Sequence, residues 1–209
     1  MFGTIPRPRP RPPASLLEIA DLDKPCVPAH DLEEWIRATF VEDGAALYNE
    51  EHIHLLEARI GVVWCAVPLA RHMLSVVGQA EIPMARGNRW AKARHDQQLV
   101  EWFGVVPDFL LTFDPMYAAA ASDRAFCALV EHELYHCGQE RDAYGAPKFK
   151  MDGSPKFGIR GHDVEEFVGI VRRYGASVGA GRTADFVEAA LLAHDIDEPA
   201  IARVCGTCG

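Results

Sequence analysis

The run His132-Glu133-Leu134-Tyr135-His136 constrains this chain more than any other feature. It lies in a helical pattern in which Phe126, Leu129, Val130 and Leu134 share one apolar face. Ser122-Asp123 supplies the helix start, and Gly138 marks its expected end. The pattern predicts an interior helix that nevertheless carries two imidazoles and a carboxylate. Burying such groups without partners is costly, so the fold must supply compensation. The spacing H-E-x-x-H suggests what that is. Residues i and i+4 lie on one helix face, and two imidazole nitrogens there reach one metal at roughly 2.0–2.1 Å. Glu133 then sits close enough to meet a metal-bound water and act as general base. A shuffled chain of this composition contains the pattern only roughly 0.03 times, which favours chemistry over coincidence. The competing reading, a helix with surface histidines, conflicts with the apolar flank from Phe126 to Val130.

A catalytic zinc takes three protein ligands and keeps one position open. The downstream candidates for the third are His162, Asp163, Glu165, Glu166 and His194. His162 follows a glycine- and proline-rich stretch over 145–161 and opens the next helical pattern. A loop of that length lets a second helix pack back across the first. Asp163, Glu165 and Asp142 are candidates to orient an imidazole, and equally ordinary solvated charges. Tyr135, Tyr144 and Tyr174 are oxyanion stabilisers by type and packing residues by default; Tyr135 points away from the face that holds His132 and His136.

The rest of the chain alternates helix and strand signals. A helix is expected from Asp31, with Leu32, Trp35, Ile36 and Phe40 on one face. Strands are expected over roughly 58–66, 73–82 and 108–113, and helices over 90–103, 163–174 and 183–193. This order predicts an α+β fold, a small mixed sheet packed against two central helices. Trp35, Trp64, Trp90 and Trp102 are expected in the core, and His52 and His54 at the surface. Cys127 reads as core filler, and Cys137 as a residue beside the motif.

The segment Gly161-His162-Asp163-Val164-Glu165-Glu166-Phe167 resembles the SprT-like zinc metalloproteases. In those proteins H-E-x-x-H is followed by a loop and a His-Gly-x-x-Phe-like motif at a helix start. Asp163 stands where Gly is usual. The order of elements resembles the putative phage metallopeptidases more loosely, over most of the chain. That resemblance includes Val77-Gly78-Gln79, Pro107-Asp108-Phe109 and the H-E-L-x-H-C stretch. It implies a zincin-like minimal metalloprotease with Zn2+ on His132, His136 and His162 and with Glu133 as general base. Glu166 is the alternative third ligand. It further implies a peptide or protein substrate and, for a phage-encoded protein, the host cytoplasm.

Composition bounds these readings. The chain has 209 residues and a net charge of −9, which argues against a protein devoted to gripping nucleic-acid phosphates. The segment PRPRPRPP at 6–13 reads as part of a disordered Pro/Arg-rich tail over 1–14. Arg7, Arg9 and Arg11 make that tail the one basic tether through which direct nucleic-acid binding is conceivable. Residues 15–200 are expected to form a single domain. Residues 201–209 carry Cys205-Gly-Thr-Cys208, half of a zinc ribbon and a candidate second, structural metal site, with Cys26 as a conceivable further ligand. Six cysteines are too sparse for a disulfide scaffold, and no apolar run is long enough to span a membrane. A cytoplasmic protein with mostly reduced thiols is the expectation. Three functional readings follow: a zinc metallopeptidase, a metal-binding but non-catalytic phage protein that acts by binding a partner, and a SprT-like protease for DNA-associated proteins.

Overall fold

A computed structural model describes residues 8–18, 23–71, 74–164, 172 and 183–192. Four strands build the main sheet: β1 (Cys26–Pro28), β2 (Ile60–Cys65), β5 (Gly78–Glu81) and β6 (Phe109–Phe113), in the order β1-β2-β6-β5. β2 and β6 run parallel, while β1 and β5 pair antiparallel to their neighbours, so the sheet is mixed. A short hairpin, β3 (Ala70–Arg71) with β4 (Leu74–Ser75), precedes β5. The expected strand over 73–82 is thus divided between β4 and β5. Around the sheet lie α1 (His30–Ile36), α2 (Arg89–Phe103), α3 (Pro115–Ala120) and α4 (Asp123–His136). The fold is α+β, as expected.

Alternation along the central strands decides which face each helix covers. Ile60, Val62 and Trp64 of β2, with Phe109, Leu111 and Phe113 of β6, enter the main core beside α1 and α4. Val63 and Leu110 point to the opposite face, where Leu99, Trp102 and Phe103 of α2 pack. Strands buried on both faces read as continuous apolar runs, as β2 and β6 do. On the main face, Phe126 of α4 lies 6.0 Å from Trp64 and 5.4 Å from Phe113, centroid to centroid. Burial of Phe126, Leu129, Val130 and Leu134 contributes about 1.5–3 kcal/mol per side chain and fixes α4 on the sheet.

The helix starts obey local chemistry. Ser122 Oγ accepts from the Ala125 N–H at the head of α4, and Asn88 Oδ1 accepts from the Trp90 and Ala91 N–H groups at the head of α2. Gly104, at φ 75°, ends α2 in the left-handed conformation. Trp90 itself is 77% exposed, against the core placement expected for it. It lies in the first turn of α2.

α4 runs directly into a hairpin, β7 (Cys137–Gln139) with β8 (Phe157–Ile159), in register Cys137↔Ile159. The intervening chain folds back on itself: Lys148 N–H donates to the Glu140 carbonyl, and Lys156 N–H to the Lys148 carbonyl. The glycine-rich stretch, expected as a long loop with room for a short hairpin, is an elaborated hairpin.

Two long-range ties were not expected. Cys26 and Cys65, opposite one another in β1 and β2, form a disulfide, which removes Cys26 as a partner for Cys205 and Cys208. Arg9 is buried, where the expectation was a disordered tail. Its Nε pairs with Asp123 at 3.0 Å, and its Nη atoms donate to the Ala118 and Ala121 carbonyls. Its guanidinium lies 4.5 Å from the Phe126 ring centroid. Arg7 lies outside the described residues.

Residues up to Arg160 form one compact unit and Gly161–Pro199 a second. In the second, α5 (Thr183–Leu191) is the described helix. The expected helix over 163–174 lies outside the described residues, apart from 163, 164 and 172. Among the described residues no helix is long and apolar enough to cross a membrane.

Candidate metal centre

The last two turns of α4 carry the motif, and sheet packing aims it. Leu129 and Leu134 are pinned in the core, so the face between them and solvent is fixed in direction. On that face His132 is half-buried, His136 is 3% exposed and Glu133 is fully buried. The Nε2 atoms of His132 and His136 lie 3.2 Å apart, with the rings at 75°. Two nitrogens on one tetrahedral zinc, each at 2.0–2.1 Å, would be about 3.3–3.4 Å apart. The pair is therefore already spaced for one ion.

His136 is also oriented. Its Nδ1–H donates to the Arg160 carbonyl at 2.6 Å, just beyond β8. A carbonyl only accepts, so the proton resides on Nδ1 and the lone pair on Nε2, toward His132. This is the backbone form of the outer partner that metal-bound histidines use.

Glu133 is flanked by the sheet's outer strand. A Cβ placed on Gly78 of β5 would lie 2.8 Å from Glu133 Oε1 and 2.9 Å from Leu129 Cδ1. Only glycine lets β5 approach the carboxylate this closely. The sequence showed a glycine in a strand pattern, without the reason for it.

His162 is exposed. It is the second residue of the second unit. The two imidazoles of the first unit, beside a buried carboxylate, are donors that suit a metal ion. Asp163 is exposed. Asp142 is exposed as well, and its Oδ1 accepts from the Tyr144 and Ala146 N–H groups, which accounts for it as a turn residue. Glu165, Glu166, Tyr174, His194, Cys205 and Cys208 lie outside the described residues.

On the Tyr135 side of the helix, a cleft of about 720 Å³ opens between residues 50–54 and the β7–β8 hairpin. Tyr135 forms part of its wall and accepts from Asn49 Nδ2 at 2.8 Å. Burial pushes the Tyr135 phenol above its ordinary pKa. Tyr144 is 96% exposed. His52, expected at the surface, is 1% exposed, its ring edge-on to Tyr135 at 4.7 Å. Burial first, then the neighbouring His54 and Arg160, lower its pKa to about 4. Sequence could not reveal this, because the partner face is supplied by α4. His54 Nε2–H donates to the Cys137 carbonyl at 2.6 Å.

The two free cysteines near the motif are not nucleophiles. Burial pushes the Cys127 thiol up to about 11, and burial with the Glu133 carboxylate pushes the Cys137 thiol well above its ordinary value.

Comparison with known proteins agrees with this chemistry. No curated protein matches the chain, and no solved structure does. A family model described as putative phage metallopeptidase matches residues 33–191, a span that contains β2, β5 and β6 of the sheet, the histidine motif and His162. The match covers well over half of the chain, which therefore belongs to the putative phage metallopeptidase family.

Proposed function

We propose that the protein is a zinc-dependent peptidase, with His132, His136 and His162 as ligands and Glu133 as general base. The observation that carries this reading is the 3.2 Å separation of the His132 and His136 Nε2 atoms beside the fully buried Glu133. Zinc held there would supply a Lewis acid that polarises the scissile carbonyl and activates water. Glu133 takes the proton from the attacking water and passes it to the leaving amine. Its burial keeps that proton from exchanging with bulk solvent during the transfer. β5, the outer strand of the sheet, lies against Glu133, which supports an extended polypeptide substrate.

The third ligand is proposed as His162 rather than Glu166, in line with the resemblance to SprT-like proteases. Cys205 and Cys208 remain a candidate second metal pair. The reading as a protease for DNA-associated proteins has lost support, because Arg9 of the basic tail is buried against the body.

Glu133→Gln provides the test. Hydrolysis of an unfolded protein substrate should be abolished while zinc content stays at the wild-type level. Unchanged turnover would remove Glu133 from the mechanism. A wild-type protein that binds zinc yet cleaves no substrate would favour the partner-binding reading.

A further inference from the structure

We infer that Arg160 is a positioning residue for the metal centre, holding His136 in its ligand tautomer through a bracket made with Glu51 and Tyr135. The inference rests on His132 and His136 being metal ligands.

Two backbone bonds tie Arg160 to His136. The Arg160 N–H donates to the His136 carbonyl at 2.9 Å, and the Arg160 carbonyl accepts the His136 Nδ1–H at 2.6 Å. The second bond decides which ring nitrogen carries the proton, so the position of one peptide carbonyl sets the chemistry of the ligand. That peptide lies past Ile159, the last paired residue of the β7–β8 ladder. The Arg160 N–H bond to His136 holds one side of this residue.

The Arg160 side chain adds a second hold. Its guanidinium lies 5.6 Å from the Tyr135 ring centroid, and its Nη1 donates to Glu51 Oε2 at 3.4 Å. A planar guanidinium suits both contacts at once, stacking on a ring while pairing in its own plane. The segment that carries Glu51 is tied to the hairpin, because His54, three residues on, bonds the Cys137 carbonyl. Gly138 permits the close approach: a Cβ there would lie 3.2 Å from the Arg160 Cβ. Helix, hairpin and the 50–54 segment therefore converge on one residue.

Exposure separates this role from simple stabilisation. The Arg160 and Glu51 side chains are 39% and 58% exposed. An ion pair so open to water adds little to global stability. Its effect is local, on the angle at which one carbonyl meets one imidazole.

The test compares full-length wild type with Arg160→Ala, Arg160→Lys and Glu51→Gln. Arg59→Ala, whose ion pair with Asp108 is remote from the motif, serves as control. Zinc affinity is read by competition with a chromophoric chelator. Imidazole nitrogen NMR of the metal-free protein reads the His136 tautomer. Arg160→Ala should weaken zinc binding about tenfold, the lower end of what outer partners of ligands contribute. It should also convert His136 from the Nδ1–H form to a mixture. Arg160→Lys should recover part of the affinity, Glu51→Gln should lose less than Arg160→Ala, and melting temperatures should stay near wild type. Wild-type affinity in Arg160→Ala with His136 still protonated on Nδ1 would overturn the inference. So would a loss that merely parallels a fall in melting temperature, matched by Arg59→Ala. A wild-type protein that takes up no zinc would instead remove the metal-centre reading on which the inference rests.

Discussion

His136 donates its Nδ1–H to the carbonyl of Arg160 at 2.6 Å, across 24 residues of chain. This bond orients one imidazole of the motif. α4 supplies the spacing of the two imidazoles, and the hairpin that follows supplies the tautomer. A metal that meets this pair finds one nitrogen already prepared, so less ordering is needed on binding.

Gly78 is the most sensitive position outside the motif. Gly78→Ala places a methyl group 2.8 Å from Glu133 Oε1 and 2.9 Å from Leu129 Cδ1, so the carboxylate or the strand must shift. Peptide hydrolysis should fall at least about tenfold, since small misplacements of a catalytic group are costly. Stability should fall by about 1–3 kcal/mol, as for other overpacked sites. Zinc content, measured beside activity, should not change.

Arg9 should matter to the fold rather than to the chemistry. Arg9→Ala leaves the Ala118 and Ala121 carbonyls without their donor and uncovers the Phe126 ring. Urea denaturation should show a loss of about 1–3 kcal/mol. Lysine at this position should recover little, because one ammonium cannot reach three acceptors in a fork.

His52 gives the fold an acid limit. Burial lowers its pKa to about 4, below the usual histidine value, so the folded protein binds fewer protons than the unfolded chain between about pH 4 and 6.5. Stability therefore rises with pH through that window, is fully present above it, and is lost as the pH falls toward 4. A shift of this size corresponds to about 3 kcal/mol. Urea unfolding of metal-free protein should show this slope, and His52→Leu should flatten it.

The parts of the structure set by local signals were legible in the sequence. α4 announces itself through Ser122, the apolar face and the motif, and β2 and β6 through unbroken apolar runs. What was not legible depends on partners far along the chain. The burial of His52 is decided by Tyr135 of α4, more than 80 residues away, and its own segment, Glu50–Leu56, is a tight 3₁₀ helix with little periodicity to read. Arg9 sits in a proline-rich stretch that resembles a tail, and only its contacts with Asp123 and two carbonyls show otherwise. The Cys26–Cys65 pairing follows from strand register, which spacing does not give. At the candidate metal centre, the motif named His132, Glu133 and His136, while the Arg160 carbonyl and the close approach of Gly78 required the fold.

The most direct measurement of the central claim is metal content by native mass spectrometry on the full chain, comparing wild type with His132→Ala, His136→Ala, His162→Ala and Cys208→Ala. Each of the three histidine variants should lose one zinc ion relative to wild type. A second ion, if the wild type holds one, should disappear only in Cys208→Ala. Full zinc retention in His132→Ala or His136→Ala would contradict the metal centre, and full retention in His162→Ala would contradict its third ligand.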